Sequence, residues 1–416
     1  MPVGADTPEE AIAEFLSGLP GRPLGVAVSG GGDSLALLHL LAGKAELAAV
    51  TVNHGLRPEA AVEALGVTLA CARLGVPHNV VDWRWDGRGN LSDAARRGRS
   101  RLIAEWAQAR GLAHVALGHT ADDQAETFLM RLSRGSGVDG LAGMSPERLV
   151  KGLMWHRPLL EIRRDVLRAW LRHRGIAWFE DPTNQDAAYL RVRARVALVA
   201  LAPMGITVET LSTATGLQRM ASDALREVAA DAARGMARIE NGDVLFDQSA
   251  MGKQPYETQL RLLAQAIMFV SSAIYRPRLQ SLADVHASLW LAQKRTLGGC
   301  ILTGNRKLIR ITREWQAVKN LIGDLGGSWD RRWRVSGPLS SGAMSDGLNV
   351  AALGSAGLAQ CPDWRAAKMP RSSLLGSPAV WLGAELVAAP LAGYGAGWRA
   401  ELVCGDDSFF TSLLSH

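Results

Sequence analysis

Short apolar segments alternate strictly with helix-length segments between residues 24 and 180. The short segments are rich in Val, Leu and Ala: Leu24–Ser29, Leu47–Asn53, His78–Trp83 and His114–Gly118. The longer segments show helical patterns: Asp33–Leu41, Pro58–Leu74, Leu91–Arg110 and Ala121–Leu132. This alternation predicts a doubly wound α/β domain, in which helices cover both faces of a parallel sheet. We expect a strand over Leu149–Trp155 and a helix over Arg163–Arg174 to complete it.

The loops after the first four predicted strands are where a ligand is expected, because ligands bind at the carboxyl ends of parallel strands. These loops are Ser29–Ser34, Asn53–Pro58, Trp83–Asn90 and His119–Asp123. A glycine-rich stretch, Gly135–Gly143, is either a mobile loop near the site or a plain connection, and glycine content does not decide between them.

The second half of the chain has a different character. Four of its segments carry patterns, the first two helical and the last two strand-like: Val208–Arg238, Glu257–Trp290, Cys300–Thr312 and Leu382–Gly393. The alternation in Cys300–Thr312 is typical of an edge or hairpin strand. A chain of 416 residues predicts two or three domains. We expect an α/β domain over 1–203, a mostly helical domain over 204–295 and a small α/β or β domain over 296–416.

Composition and cysteine usage bound the class of protein. Hydrophobic residues make up 48% and charged residues 21%, as in ordinary soluble domains. A net charge of +6 and a pI of about 9.4 permit a polyanionic partner without requiring one. The four cysteines are far apart, which excludes CxxC metal patterns and indicates a reducing cytoplasm. We find no signal-peptide pattern, and the apolar stretch Leu262–Tyr275 is too short to span a membrane.

The sharpest motif is Ser29-Gly30-Gly31-Gly32-Asp33-Ser34, which stands between a predicted strand and a predicted helix. Successive glycines let the backbone approach a ligand and direct several N–H groups into one concavity. The helix dipole and two serine hydroxyls favour an anion with several oxygens. The motif lacks both the GK[ST] ending of a Walker A loop and the GxGxxG spacing. The alternative is a glycine turn that caps a helix, with Asp33 as an N-terminal charge.

A second cluster, His119-Thr120-Ala121-Asp122-Asp123-Gln124-Ala125-Glu126, follows the fourth predicted strand. A helix places Asp122, Asp123 and Glu126 near one face, because they are three or four residues apart. Three carboxylates in that arrangement can bind Mg²⁺ or an ammonium group. The alternative is a solvated acidic first turn that complements the helix dipole. The neighbouring glycine motif favours the functional interpretation.

The glycine motif resembles the SGGxDS loop of the PP-loop enzymes, the N-type ATP pyrophosphatases, in which it grips the leaving pyrophosphate. The resemblance implies that Ser29, Gly30, Gly31, Gly32, Asp33 and Ser34 bind ATP. The run LGHTADDQAETFLMRLSRGSGVDGLAGM, from Leu117 to Met144, resembles the signature of the tRNA(Ile)-lysidine synthetase family. Four further segments resemble that family in the same order: Asn53–Arg57, Asn90–Arg99, Glu180–Asn184 and Tyr189–Arg195.

Two positions depart from the family, because Ser100 stands where an aromatic residue is common and Val192 replaces a frequent Asn. The match covers roughly residues 20–200, and only Leu297–Cys300 and Arg313–Glu314 fit loosely beyond it.

The resemblance implies a ligase that uses ATP and Mg²⁺. The wobble cytidine of a tRNA(Ile) with a CAU anticodon is adenylated at its C2 oxygen, and pyrophosphate leaves. The side-chain amine of free L-lysine then attacks C2, AMP departs, and lysidine is formed. We expect a cytoplasmic enzyme with no membrane partner. Its oligomeric state stays open, with a homodimer as one alternative.

The resemblance also assigns roles to residues of this chain. The expected catalytic residues are Asp33, Asp123 and Arg99. The expected substrate-binding residues are His119, Asp123, Glu126, Arg191 and Arg195. Asp33 and Asp122 are expected to bind Mg²⁺, although the sequence does not decide which carboxylates bind metal and which bind lysine.

Other basic residues keep two interpretations. Arg96 and Arg99 share a helical face that suits a phosphate or a carboxylate, whereas Arg193 alternates with its neighbours and is expected at the surface. His54 and His119 either donate to a phosphate or base or are structural. Five arginines form either a phosphate-backbone footprint or a solvated face: Arg163, Arg164, Arg168, Arg172 and Arg174.

Three other functions compete with this hypothesis. A cytidine or uridine thiolase needs paired or clustered catalytic cysteines, and the cysteines here are isolated: Cys71, Cys300, Cys361 and Cys404. An amidotransferase-type synthetase needs an ammonia-producing domain or partner, and residue two is not a cysteine. A nucleotide-gated RNA-binding protein without activity would not need Asp33 and Asp123, and an assay of AMP release would identify it.

The second half of the chain has no acid, histidine or cysteine cluster that resembles a reaction site. It has basic residues beside two tryptophans: Arg306, Lys307, Arg310, Arg313, Lys319, Arg331, Arg332 and Arg334, with Trp329 and Trp333. Basic residues interleaved with aromatic residues suit backbone contacts plus base stacking. We therefore expect this half to bind tRNA, the alternative being a structural or dimerisation domain.

Overall fold

The computed structural model describes residues 7–19, 21–55, 59–85, 87, 90–150, 152–180, 186, 188–338 and 347–414. The chain forms two compact units that divide between Ser222 and Asp223, and each is described by itself. The division into three domains at 203/204 and 295/296 stays a prediction.

The first unit contains a six-stranded sheet. Its strands are β1 (Leu24–Ala27), β2 (Leu47–Asn53), β3 (His78–Asp82), β4 (His114–Leu117), β5 (Glu147–Val150) and β6 (Leu153–His156). Their order is β3-β2-β1-β4-β6-β5, and all neighbours are parallel except the pair β5–β6. Val26 pairs with Ala49 on one side and with Ala116 on the other. The expected parallel sheet is thus confirmed, with one antiparallel edge strand.

Helices cover both faces of this sheet. They are α1 (Pro8–Ser17), α2 (Gly32–Leu41), α3 (Ala60–Arg73), α4 (Leu91–Ala109), α5 (Ala121–Leu132), α6 (Val138–Leu141), α7 (Arg164–His173) and α8 (Leu190–Leu201). Strand side chains alternate between the faces. Val26 and Ala49 are buried in the core that contains α2 and α7, whereas Ala48 and Val50 are buried with Trp106 of α4.

The predicted elements of this unit agree with the structure to within two residues, with one exception. The strand expected over Leu149–Trp155 is the antiparallel hairpin β5–β6. Gly152 adopts a φ of +80°, and the chain reverses there. The single-strand prediction is therefore wrong for this segment.

The loops after β1 and β4 meet at the carboxyl edge of the sheet, because these two strands are neighbours. Gly118, directly after β4, contacts the start of α2. A Cβ atom at Gly118 would lie 2.8 Å from the carbonyl oxygen of Asp33 and 2.9 Å from the Cα of Ser34. Only glycine lets the two loops approach this closely.

In the second unit, the helical middle region packs on a five-stranded antiparallel sheet. Its strands are β7 (Ala237–Glu240), β8 (Asp243–Asp247), β9 (Arg295–Leu297), β10 (Cys300–Gly304) and β11 (Leu308–Arg313), in the order β7-β8-β11-β10-β9. The helices are α9 (Val208–Met236), whose residues 208–222 belong to the first unit, α10 (Gln248–Gly252), α11 (Tyr256–Ser271) and α12 (Leu279–Trp290). Phe246, Leu263 and Leu302 lie in one buried core that joins sheet and helices.

The rest of this unit holds two small antiparallel sheets. The strands are β12 (Ile322–Asp324), β13 (Ser328–Trp329), β14 (Trp333–Ser336), β15 (Leu348–Ala352), β16 (Pro378–Leu382), β17 (Glu385–Ala388) and β18 (Arg399–Leu402). They form the sheets β12-β15-β16-β17 and β13-β14-β18. Short helices accompany them: α13 (Trp315–Val318), α14 (Gly354–Ala359), α15 (Arg371–Leu375) and α16 (Ser408–Leu414). The expected helical region and small C-terminal β structure are confirmed.

Several details of this unit differ from the sequence patterns. Glu257–Trp290 is two helices, because Ser272 adopts a left-handed φ of 51° and ends α11. The hairpin β7–β8 has no counterpart among the predicted elements. Cys300–Thr312 forms a hairpin, as one alternative expected, but β10 and β11 lie inside the sheet rather than at its edge.

Among the described helices, none is by itself long and apolar enough to cross a membrane. One sharply bent pair, Leu190–Met204 with Val208–Met236, meets the length and composition criteria together, with a bend of 99°.

Candidate functional site

The glycine motif connects β1 to α2 and leaves the start of that helix uncapped by side chains. Gly30 has a φ of +88°, and Gly31 is the N-cap residue without a side-chain hydrogen bond to the helix. The Ser29 amide donates to the Ser34 hydroxyl (3.1 Å), which donates to the Gly31 carbonyl (2.9 Å). The serines thus close the loop, and the first amides of α2 are suited to bind an anion.

Two aromatic residues pack against this loop. The Phe179 amide donates to the Gly30 carbonyl (3.1 Å), and a Cβ at Gly32 would lie 3.4 Å from the Trp178 ring. The segment that leads to Glu180 therefore lies along the phosphate loop. The rest of the EDPTN motif, Asp181–Asn184, lies outside the described residues.

Thr120 caps α5 and orients Asp123. One oxygen of Asp123, Oδ2, accepts from the Thr120 amide (2.9 Å) and hydroxyl (3.1 Å), in a capping box. Asp123 and Glu126 are only 7% and 0% exposed. The alternative of a solvated acidic first turn is therefore wrong for these two carboxylates.

Arg164, at the start of α7, joins the two loops. Its Nε lies 2.9 Å from Asp33 Oδ2. Its terminal nitrogens lie 2.8 Å from Asp123 Oδ1 and 3.1 Å from Glu126 Oε1. The side chain is 17% exposed. Burial opposes its charge, but Asp123, Asp33 and Glu126 together raise the pKa of Arg164.

Arg191 and Arg195 reach the same buried carboxylate from α8. Arg191 Nε lies 2.8 Å from Glu126 Oε2, and Arg195 Nε lies 2.6 Å from Glu126 Oε1. They are four residues apart and share a helical face, whereas Arg193 is exposed. The structure therefore brings together Asp33, Asp123 and Glu126 with the guanidinium groups that neutralise them.

Asp122 is directed to the start of α7. Its Oδ2 accepts from the Arg164 amide (2.7 Å) and lies 3.4 Å from Arg163 Nε. Arg163 also contacts Glu209. This carboxylate therefore holds α7 in place beside the site.

The five arginines of the segment 163–174 have separate partners. Arg168 pairs with Glu180 at 3.4 Å, and Arg174 pairs with Glu9 at 3.1 Å. The Arg172 guanidinium lies 5.7 Å from the centre of the Trp178 ring. Arg164 belongs neither to a common phosphate-binding surface nor to a solvated face, because its side chain points toward the carboxylates of Asp33, Asp123 and Glu126.

His119 lies beside Asp123 and is partly buried. Burial lowers the pKa of His119 to about 4. The Asp123 carboxylate opposes this lowering, whereas the positive charges of Arg157, Arg99 and Arg191 increase it. Its Nδ1 is buried and has no hydrogen-bond partner among the described residues. A neutral imidazole can donate from one ring nitrogen and accept at the other, so it can hydrogen-bond a substrate group.

The two aspartates of the site have opposite shifts. Burial raises the pKa of Asp33 even though Arg164 opposes the effect. At Asp123, burial is outweighed by Arg164 and Arg191, which lower the pKa. The cationic neighbours thus offset burial fully at Asp123 and only in part at Asp33.

The described residues contain no group of three or more His, Cys, Asp or Glu side chains placed to hold a metal ion. Mg²⁺ is usually held by one or two carboxylates together with substrate phosphates, however. Asp33 fits that arrangement, because it is in the first turn of α2, directly after the phosphate loop. Asp122 fits it less well, because its Oδ2 accepts from the backbone amide of Arg164, whereas Asp33 Oδ2 contacts the Arg164 side chain, which can move without α7.

A cavity of about 330 Å³ opens where β2 and β3 end. Its lining residues are Asn53, His54, Gly55, Asp82, Trp83, Arg84 and Trp85. His54 packs edge-on against Trp83, with ring centroids 5.7 Å apart, and Trp85 is 45% exposed. Burial and, secondarily, the charge of nearby Arg99 lower the pKa of His54. The exposed Trp85 suits stacking on a base, whereas Trp83 is buried. Leu56–Pro58 lie outside the described residues.

Arginines fasten the glycine-rich stretch 135–143 and the residues just after it. Arg131 donates to the carbonyls of Gly140 (2.7 Å) and Gly143 (3.0 Å). Arg219 donates to Met144 (2.6 Å), and Arg157 donates to the Ser145 carbonyl (2.6 Å). The stretch also contains the short helix α6. It is thus an anchored segment beside the site rather than a plain connection.

Much of the predicted base-stacking surface in the second unit is buried. Trp329 and Trp333 are 2% and 4% exposed, so the prediction that they stack on bases is wrong. Arg310 pairs with Asp243, and Arg313 pairs with Asp330. Arg332 is also buried. Of the predicted basic residues, five are exposed: Arg306, Lys307, Lys319, Arg331 and Arg334. Arg306 and Lys307, with Arg238, line an open groove of about 620 Å³.

The cysteines contribute no thiol to this site. All four are unpaired, and only Cys404 is exposed. Burial raises the pKa of Cys71 to about 11 and of Cys300 to about 12. Buried thiols with raised pKa values are poor nucleophiles, which weighs against a cysteine-dependent thiolase.

Arg164 is the site residue that sequence reasoning missed. It stands 131 residues after Asp33, and its side chain turns inward because the Asp122 carboxylate accepts from its backbone amide. The sequence shows that residues 163–174 are rich in arginine, but nothing in the pattern distinguishes Arg164 from the other four.

Comparison with known proteins gives concordant results. Residues 5–202 match the PP-loop domain family. The chain is 46% identical, over the full length of both proteins, to the tRNA(Ile)-lysidine synthase of Ruegeria pomeroyi. It is 42% identical to the tRNA(Ile)-lysidine synthase of a Bradyrhizobium species, over 64% of this chain and 78% of that protein.

Among solved structures, the chain resembles a U34-tRNA thiolase from Methanococcus maripaludis. That match has a TM-score of 0.44 and 16% identity and covers 51% of this chain and 77% of the thiolase.

Proposed function

The chain belongs to the tRNA(Ile)-lysidine synthase family, and we propose that it ligates free L-lysine to the wobble cytidine of tRNA(Ile) with a CAU anticodon. The family and the PP-loop domain make it an ATP-binding ligase of tRNA processing. The observation that carries the proposal is the junction of the phosphate loop with the carboxylates of α5, through Gly118 and Arg164.

The reaction proceeds in two displacements. The C2 oxygen of the cytidine attacks the α-phosphorus of ATP, the α–β bond breaks, and pyrophosphate leaves. The lysine ε-amine then attacks C2, the C2–O bond breaks, and AMP leaves with the former C2 oxygen. The amine nitrogen loses a proton as lysidine forms. The products are lysidine, AMP and pyrophosphate.

The phosphate loop binds the part of ATP that leaves. The uncapped amides at the start of α2 and the Ser29 hydroxyl are proposed to bind the β- and γ-phosphates. The Ser34 hydroxyl, which donates to the Gly31 carbonyl, is proposed to join them only if it turns away from that carbonyl. Gly30, Gly31 and Gly32 keep side chains out of this cradle. When bound, Mg²⁺ neutralises charge on the phosphates. Asp33 is proposed to hold it, with Asp122 as a second ligand only if α7 releases that carboxylate.

The carboxylates of α5 bind the second substrate. Asp123 and Glu126 are buried anions that can pair with the ammonium group of lysine. The guanidinium group of Arg99 is proposed to stabilise the α-phosphate as its charge develops. Arg191 and Arg195 are proposed to stay paired with these carboxylates and to shape the substrate site. His119, held neutral at physiological pH, is proposed to hydrogen-bond the cytidine or the amine.

Two basic surfaces support tRNA binding. In the first unit, burial and then the charges of Arg96 and Arg148 lower the pKa of Arg131, while burial and then the charges of Arg148 and Arg219 lower the pKa of Arg157, so these arginines lie near one another. In the second unit, Arg306 and Lys307 line the open groove. We propose that both surfaces contact the phosphate backbone of tRNA(Ile). A cytoplasmic location fits the four unpaired cysteines, and a homodimer remains one alternative for the oligomeric state.

The proposed function is tested by nucleoside mass spectrometry. The purified protein is incubated with ATP, Mg²⁺, L-lysine and either tRNA(Ile) with a CAU anticodon or the same tRNA with uridine at the wobble position. We expect lysidine only in the first tRNA, and only when lysine and ATP are both present. Unmodified tRNA in the presence of an active ATP site, or lysidine formed without ATP, would contradict the proposal.

A further inference from the structure

Arg164 occupies the carboxylates that the second substrate needs. We propose that Arg164 is an exchangeable counterion, which neutralises Asp123 and Glu126 in the free enzyme and moves to the phosphates when ATP enters the loop. The inference rests on the proposed function, because that function assigns ATP to the loop and lysine to Asp123 and Glu126.

The position of Arg164 allows this exchange. Its guanidinium contacts Asp33 at 2.9 Å, in the first turn of α2, so it lies beside the phosphate loop. The same group contacts Asp123 and Glu126 at 2.8 and 3.1 Å. A triphosphate offers several charged oxygens in the geometry that a guanidinium fork prefers. A small rotation of one side chain therefore connects its two sets of partners.

The lysine ammonium and Arg164 compete for the same oxygens. Glu126 is 0% exposed, and its Oε1 lies 3.1 Å from Arg164 and 2.6 Å from Arg195. An ammonium group cannot pair with this carboxylate unless a guanidinium withdraws. Arg164 is the one that ATP can attract, because it also contacts Asp33 at the loop, whereas the ion pairs of Arg191 and Arg195 are with Asp123 and Glu126.

Charge balance leads to the same conclusion. Asp33, Asp123 and Glu126 carry three negative charges, and Arg164, Arg191 and Arg195 carry three positive charges. The free site therefore has little attraction left for a cationic amino acid. The phosphates of ATP draw one positive charge away, so the three carboxylates then share two guanidinium groups and carry one net negative charge. ATP binding should then strengthen lysine binding, and linkage requires the reverse effect as well.

The test is a calorimetric titration of full-length protein with L-lysine, with and without α,β-methylene-ATP and Mg²⁺. For the unsubstituted protein we expect the nucleotide to tighten lysine binding about tenfold or more. Arg164→Ala should bind lysine tightly without nucleotide, and the nucleotide should change its affinity less than about twofold. If Arg164 had a purely structural or uniform electrostatic role, its removal would change the lysine affinity by the same factor with and without nucleotide. The ratio of these two affinities would then be the same as in the unsubstituted protein.

Two further variants make the result decisive. Arg164→Lys keeps the charge but cannot contact three carboxylates at once, so the coupling between nucleotide and lysine binding should be reduced. This variant replaces Arg164→Ala if thermal melting shows that Arg164→Ala does not fold. Arg174→Ala is the matched control, because Arg174 ends the same helix and contacts Glu9 and Trp170. Its coupling should equal that of the unsubstituted protein.

The remaining outcomes separate this inference from the proposed function. If the protein forms lysidine but its lysine affinity does not depend on nucleotide, the counterion role is wrong. The same holds if Arg164→Ala keeps the full coupling. If the protein neither binds lysine nor forms lysidine under any condition, the proposed function fails, and the inference fails with it.

Discussion

The Nε of Arg164 lies 2.9 Å from the Oδ2 of Asp33, although 131 residues separate them in the chain. This ion pair connects the first turn of α7 to the first turn of α2 at the carboxyl edge of the sheet. The guanidinium also contacts Asp123 and Glu126. One side chain thus joins the phosphate loop to the carboxylates of α5.

Asp33→Asn should abolish lysidine formation, with a loss of at least about 100-fold. The substitution removes the carboxylate proposed to hold Mg²⁺ beside the loop. Stability should fall by only about 1 kcal/mol, because Arg164 keeps Asp123 and Glu126 as partners. Asp165→Asn on α7, whose side chain is 72% exposed, is the matched control. Steady-state turnover and urea unfolding of both variants measure these effects; normal turnover in Asp33→Asn would refute its role.

Glu126→Gln should weaken lysine use much more than ATP binding. The proposed charge pair with the ammonium group is lost, which corresponds to a few kcal/mol, or on the order of 100-fold in affinity. Three arginines also lose a buried partner, so the free energy of unfolding should fall by about 3 kcal/mol. The apparent lysine KM and the ATP Kd are compared with those of Glu105→Gln, an exposed ion-pair variant on α4. An unchanged lysine KM would remove Glu126 from the substrate site.

His119 should make stability depend on pH between about 6.5 and 4. Burial lowers its pKa to about 4 in the folded state, whereas the unfolded chain takes up the proton near 6.5. The unfolded state therefore binds more protons in this window, and stability falls as pH falls through it, by on the order of 3 kcal/mol.

As pH falls through this window, His119→Asn should lose less stability than the unsubstituted protein. His173→Asn, at an exposed position, should lose as much stability as the unsubstituted protein. Urea unfolding at a series of pH values gives the comparison. Parallel curves for His119→Asn and the unsubstituted protein would show that His119 titrates normally.

The fold of the first unit was predictable because its signals are local. Strand and helix alternate in sequence, and Thr120 and Asp123 form a capping box three residues apart. The hairpin β5–β6 was not predicted, because a single glycine between apolar residues, as at Lys151-Gly152, is compatible with a bulged strand as well as with a turn. In the second unit, the burial of Trp329 and Trp333 was not predictable, because a tryptophan next to arginines has the same local pattern in a core as on a surface.

The parts of the site that lie in continuous sequence motifs were predictable. Ser29–Ser34 and His119–Glu126 are each continuous in sequence, and both lie at the expected edge of the sheet. Arg164 was not singled out, since its partners come from two distant helices. The contact depends on the angle at which α7 begins, which is set by the Asp122 carboxylate and not by residues near Arg164 in sequence.

Arg306→Glu combined with Lys307→Glu should weaken tRNA binding and reduce its salt dependence. These exposed residues line the open groove of the second unit, where they can neutralise phosphates. Each lost phosphate contact should lower the slope of log affinity against log salt by about 0.9. Arg399→Glu on β18 is the control, because it changes the charge by the same amount as one of these two substitutions. Filter binding across a salt titration measures the slopes, and an unchanged slope would exclude this groove from the tRNA interface.

The central claim is that the C2 oxygen of the wobble cytidine attacks the α-phosphorus of ATP at this PP-loop site. The most direct measurement uses tRNA(Ile) that carries ¹⁸O at C2 of that cytidine, with ATP, Mg²⁺ and L-lysine, and mass spectrometry of the nucleotide products. We predict AMP and pyrophosphate without ADP, and one ¹⁸O atom in each AMP formed with lysidine. Unlabelled AMP, or ADP as the main product, would contradict the account.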